Sequence, residues 1–189
     1  MRLVVTEFVS LDGVMEDPGG AEGFKHGGWS FAFPSEEAGK YKLDELMASD
    51  AQLLGRKTYE GFAKVWPTVK DDIGFAEQFN AMPKYVVSST LQTADWNNST
   101  ILKGDLVDEV RKLKAMPGRD LLVAGSAQLV QGLLENGLVD ELRLMVHPVV
   151  LGSGKRIFGD APDKMDLKLV EARPLGDAGQ VMLIYSQTA

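Results

Sequence analysis

Twice in this sequence a short apolar strand ends in a glycine and continues at once as a helix. That unit restricts the fold more than anything else in the chain. Leu121-Leu-Val-Ala124 runs into Gly125-Ser126, and the following helix carries Leu129, Val130, Leu133 and Leu134 on one stripe before Gly137 stops it. Ala51-Gln-Leu-Leu54 runs likewise into Gly55-Arg-Lys-Thr58 and a short helix from Tyr59 to Ala63. Strands alternating with helices require right-handed crossovers, so the class is α/β with a mostly parallel sheet.

The remaining elements extend this pattern. Leu3 to Val9 is a β-branched strand closed by Ser10-Leu-Asp-Gly13. Ser35 caps a helix whose first turn holds Glu36 and Glu37, the charge that the positive helix end favours. A helix is expected over 71–81, a strand over Tyr85–Val87, and a helix capped by Asp105 that Pro117-Gly118 stops. Leu142, Leu144 and Val146 alternate with Glu141, Arg143 and Met145 as a half-buried strand, expected at the terminal edge of the sheet and able to support a homodimer. Leu167–Ala172 and Val181–Ser186 flank Gly176–Gly179 as a C-terminal antiparallel hairpin, which makes the sheet mixed. With 189 residues and no linker, the expectation is one domain over 1–189.

Composition removes whole classes of chemistry. There is no cysteine, so thiolate catalysis, disulfides and Cys-based zinc sites are excluded, and two histidines make a His-rich metal site improbable; no metal is expected. A net charge of −7 argues against a nucleic-acid partner, which needs a basic face. No apolar run approaches a membrane span, and the first acid, Glu7, interrupts any signal-like core, so the expected location is cytoplasmic with no membrane partner. An acidic chain that binds an anion must use a few local cations and backbone N–H groups.

Three strand ends offer them, because helix N-termini at the carboxyl edge of such a sheet attract anions. Gly55-Arg56-Lys57-Thr58 combines a tight turn, two cations and a hydroxyl; its plainer reading is a capped helix with solvated cations. Ser88-Ser89 either binds a phosphate or caps a turn. Gly125-Ser126-Ala127-Gln128 lets a ligand approach the backbone. The Asp17–Gly28 stretch reads as a mobile, glycine-rich loop in which nothing can pack, covering the site. In or beside it His26 contacts a substrate or is solvated, while Trp29 stacks on a planar ring or anchors the loop. Neither a P-loop nor a GxGxxG fingerprint is present; the Gly152–Arg156 segment fails the P-loop spacing at Val149.

These motifs, in this order, resemble the dihydrofolate reductase-like proteins. Gly137-Leu-Val-Asp-Glu-Leu142 followed by His147-Pro-Val-Val-Leu-Gly152 is similar to the C-terminal reductase domain of the riboflavin-biosynthesis deaminase-reductase. The resemblance implies a three-layer fold with a mixed sheet of eight or nine strands that binds NADPH. It implies that Arg56, Lys57 and Thr58 lie at the pyrophosphate and 2′-phosphate, Ser88 and Ser89 on the adenosine-phosphate side, and Gly125 to Gln128 at the pyrophosphate. The family's Gly-Gly pair is here Gly125-Ser126, and the position of the catalytic carboxylate falls on Gly39. Asp12, Glu36, Glu37 and water are left as proton sources. The implied activity is reduction of a small heterocyclic, pterin- or pyrimidine-like, or carbonyl-type substrate. The alternatives are a riboflavin-pathway ribosylamino-pyrimidine reductase and a nucleotide-binding protein without turnover.

Overall fold

The computed structural model describes residues 1–159 and 164–187; residues 160–163 and 188–189 of the expected domain lie outside the described residues. The elements follow as β1 (Arg2–Ser10), α1 (Glu36–Met47), β2 (Ser49–Gly55), α2 (Arg56–Val65), α3 (Phe75–Ala81), β3 (Lys84–Val87), β4 (Ser99–Leu102), α4 (Leu106–Ala115), β5 (Asp120–Val123), α5 (Ala127–Glu135), β6 (Glu141–His147), β7 (Leu167–Leu175) and β8 (Gln180–Gln187). Among the described residues the strands form one eight-stranded sheet in the order β4-β3-β2-β5-β1-β6-β8-β7. The pairs from β4 to β6 are parallel, and β8 runs antiparallel to both β6 and β7.

Alternate residues of the inner strands point to opposite faces, and two cores follow from that. Leu3, Val5, Leu53, Leu121 and Val123 pack with Val110 and Leu113 of α4 and with the Leu129–Leu134 stripe of α5. Their neighbours Val4, Leu54 and Leu122 pack on the other side with Leu46 of α1, Tyr59 of α2 and Phe79 of α3. The result is the expected three-layer, mixed α/β architecture. Strands covered on both faces read as continuous apolar runs, as β5 does over Leu121–Val123, behind a buried Asp120 that pairs with Arg2.

Several local expectations are corrected. The helix expected over 71–81 begins at Phe75, because the Asp71 carboxylate accepts hydrogen bonds from the amides of Ile73, Phe75 and Ala76 and organises 71–74 as a cap. The helix expected from Tyr59 starts three residues earlier, directly on Gly55. β4 was not expected at all. β6 alternates as expected over Glu141–Leu144, but Met145 and His147 are each 2% exposed, and the strand is not an edge: it lies between β1 and β8. The exposed edge at that end is β7. The Asp17–Gly28 stretch is largely exposed, as expected of a loop, but it is tied together from within. Buried Asp17 accepts from the amides of Glu22 and Phe24 through its carboxylate, and from those of Gly20 and Gly28 through its carbonyl.

Candidate functional site

The connections dictate where a ligand can enter. β2 sends α2 to one face, while its neighbour β5 sends α5 to the other, so the chain parts at their carboxyl ends and leaves a crevice there. The two glycine turns meet in it. The Gly55 amide donates to the Gly125 carbonyl at 3.4 Å. A Cβ on Gly125, whose φ is +80°, would stand 2.7 Å from Thr58 Oγ1, and one on Gly55 would collide with Ser126 Oγ. Neither position has room for a side chain, which is why both are glycine.

Both helix N-termini at this contact lack a side-chain cap: Gly55 caps α2 and Ser126 caps α5 without a side-chain hydrogen bond. Two positive dipole ends therefore converge on one spot, each with first-turn N–H groups for an anion. Arg56 and Lys57 occupy the first turn of α2. Arg56 pairs with Glu60 at 3.1 Å, and Lys57 is exposed. Ser88 lies just beyond Val87, the β3 partner of Gly55, so it sits one strand away. Its hydroxyl accepts from the amides of Thr90 and Leu91, the turn-capping alternative, while Ser89 is exposed. Ala127 is buried under the α5 N-terminus and Gln128 faces outward.

The other candidates sit elsewhere. Asp12 accepts from the Ser10 hydroxyl and the amides of Leu151 and Gly152, and Arg156 binds its carbonyl. The Ser10 hydroxyl, then the Leu151 amide, hold its carboxyl down to about 2, so Asp12 is an anionic pin between two loops and a poor proton donor. Glu36 and Glu37 are exposed at the start of α1, beside the β7–β8 turn: Ser35 Oγ donates to Leu175 O, and a Cβ on Gly176 would stand 3.7 Å from Glu37 Oε2. β7 is the fourth strand from β5, roughly 20 Å along the sheet. Trp29 takes its anchoring alternative: it is buried, donates from Nε1 to Glu16 O at 2.8 Å and meets the His147 ring edge-on. His147 is enclosed by Phe8, Trp29 and Phe33, and burial lowers its pKa, keeping it neutral. His26 is exposed against Phe24.

One residue of this region escaped the sequence reading. Glu7, in the carboxyl-terminal half of β1, is 8% exposed, and its Oε1 accepts from the Gly125 amide at 2.5 Å. Burial pushes its carboxyl up to about 8, against the pull of the Gly125 amide. The signal was an acid inside the apolar run Leu3–Val9, where an edge or surface strand would have tolerated it and a central one does not. A second buried acid, Glu45 of α1, is held differently. Burial alone would raise its pKa, but Lys42 and Arg143 overcome that and it stays ionised. Among the described residues no group of His, Asp and Glu is arranged to hold a metal, and no helix is long and apolar enough to cross a membrane.

Comparison with known proteins gives the chain's family and the relatives of its fold. The profile of the RibD C-terminal domain family matches residues 2–181. The chain is 33% identical over 187 residues to the uncharacterized protein YyaP of Bacillus subtilis (strain 168), covering 97% of this chain and 94% of that one. In structure it is similar to a protein of Shewanella sp. PV-4 named for riboflavin biosynthesis, with a TM-score of 0.78, 20% identity and complete coverage of both chains. It is also similar to RibD of Acinetobacter baumannii, with a TM-score of 0.66 and 19% identity over 99% of this chain and 58% of that one.

Proposed function

The chain belongs to the RibD C-terminal domain family, and from that premise we propose that it is an NADPH-dependent reductase of a small heterocyclic, pterin- or pyrimidine-like, or carbonyl-type substrate. The observation that carries this reading is the contact of the Gly55 and Gly125 turns, which pack so closely that neither glycine has room for a Cβ and which bring together two helix N-termini without side-chain caps. Such a cradle fits a pyrophosphate, whose oxygens take up backbone N–H groups and whose charge the dipoles favour. NADPH when bound supplies the hydride. The protein's share is to hold and orient: Gly55, Thr58, Gly125, Ser126, Ala127 and Gln128 at the pyrophosphate, Arg56 and Lys57 at the 2′-phosphate, and Ser88 and Ser89 on the adenosine side.

The Arg56–Glu60 pair supports the phosphate role and does not oppose it. The pair is half exposed and spaced i,i+4, so it is worth only about 0.3–0.5 kcal/mol, and a phosphate can take the guanidinium over at little cost. Arg56→Ala is expected to weaken NADPH about tenfold more than NADH in calorimetric titrations, a difference of about 1.4 kcal/mol. Equal loss for both cofactors overturns the 2′-phosphate assignment.

A second reading, nucleotide binding without turnover, is favoured by the distance of Glu36 and Glu37 from the turn pair and by the anionic, tied state of Asp12. Saturable, substrate-dependent loss of NADPH absorbance with a pyrimidine, pterin or carbonyl panel removes it.

A further inference from the structure

Building on the cofactor reading above, we infer that Glu7 is the positioning residue of the Gly125–Ser126 turn and the group that makes dinucleotide affinity fall in alkaline solution. The register brings it there. Val5 of β1 pairs with Val123, the last residue of β5, so Glu7, two residues on, stands level with Gly125. Alternation places Glu7 on the side of Val5 and Val9, the face that carries α5. Thr6 points the other way, where its hydroxyl donates to Glu45 of α1. From that buried position Glu7 Oε1 takes the Gly125 amide. This bond fixes the direction of the peptide that opens the turn and leaves the α5 first-turn amides to the ligand.

The charge state then decides what the anion meets. A neutral carboxyl accepts the Gly125 amide through its carbonyl oxygen and adds no charge, so a pyrophosphate sees only helix dipoles and N–H groups. Ionised, the same group puts a desolvated negative charge under the turn, facing that pyrophosphate. The groups around Glu7 act in both directions. Lys42 of α1 favours the ion, while Glu45 of α1 and Glu22 of the Asp17–Gly28 loop disfavour it. The α5 first turn and the flanking β5 and β6 residues Val123 and Leu144 bring no titratable group. Burial leaves the carboxyl neutral up to about pH 8, and a bound dinucleotide raises that point further, because the coupling is reciprocal. The proton concerned comes from and returns to water; no bond to the cofactor forms or breaks.

The test is NADPH affinity, read by nicotinamide fluorescence without substrate, for the wild type and Glu7→Gln between about pH 6 and about pH 10. One proton predicts affinity falling up to about tenfold per pH unit above the carboxyl pKa in the wild type and a flat profile for Glu7→Gln, which keeps the acceptor oxygen and cannot ionise. The Gly125 amide resonance of the free wild-type protein should titrate with the same midpoint. A wild-type profile that stays flat, or a Glu7→Gln profile that falls in parallel with it, overturns the inference. The wild-type profile and the amide titration decide the matter even where Glu7→Gln does not fold. Failure of the wild type to bind NADPH at any pH instead removes the cofactor reading and this role with it. A Gly125 resonance that still titrates then assigns that failure to the ligand and not to the carboxyl.

Discussion

Single atoms decide the crevice between α2 and α5. Gly55→Ala drives a methyl into Ser126 Oγ and its Cβ, a conflict expected to cost about 1–3 kcal/mol in urea unfolding, with part of it recovered by adding Ser126→Gly. An equal loss with and without that second change places the conflict elsewhere. Glu7 makes a prediction of the opposite sign. Its folded pKa of about 8 lies above the unfolded 4.5, so folding binds a proton. The associated stability is complete below about 4.5 and is lost as pH rises through about 8, an effect of a few kcal/mol. Glu7→Gln should flatten that decline, leaving the variant more stable than the wild type in mildly alkaline urea titrations. A parallel decline in both proteins assigns the pH dependence to another group. At this scale the sequence displayed the glycines and the cations of the site but not Glu7. A carboxyl's role depends on which strand becomes central, and that is settled by pairings far apart in the chain.

The elements were legible where a local cause produces them. Ser35 and Asp105 cap α1 and α4 as their spacing implies, through bonds to the Ala38 amide and to the amides of Val107 and Asp108. The α5 stripe of Leu129, Val130, Leu133 and Leu134 is buried throughout. Ser35→Ala is expected to cost about 1 kcal/mol and a few degrees in Tm, since it removes both the cap and the link to Leu175 O. What stayed hidden was set by partners. β4 is a four-residue strand recognisable only through its pairing with β3. Lys84 opens β3 fully buried, its ammonium donating to the carbonyls of Asn80, Met82 and Asn97 and lying 4.3 Å from the Trp96 ring centre. A sequence shows a solvated lysine there; the structure uses it to tie the end of α3 to the 97–98 turn. Burial lowers its pKa to about 8.

For the molecule as a whole, the alternation of strands and helices was enough to give the mostly parallel α/β sheet, the strand-rich end gave its terminal hairpin and the family resemblance its three layers, while strand order was not legible. Placing β6 at the edge was the consequence, and it moves the expected homodimer surface. The exposed edge is β7, with Leu169 and Val170 each more than half exposed. A homodimer is expected to pair along that strand, and Val170→Lys should shift light-scattering mass from dimer to monomer. A dimer unaffected by this change uses another surface.

The same strand order creates the crevice at β2 and β5, on which the functional reading depends. Calorimetric titration of the wild type and Gly125→Ala with NADPH and NADH tests it most directly. The account predicts saturable one-to-one binding, tighter for NADPH than for NADH, and lost in a folded Gly125→Ala whose added methyl forces the turn away from Thr58. Absence of heat with either cofactor, or unchanged NADPH affinity in Gly125→Ala, would contradict it.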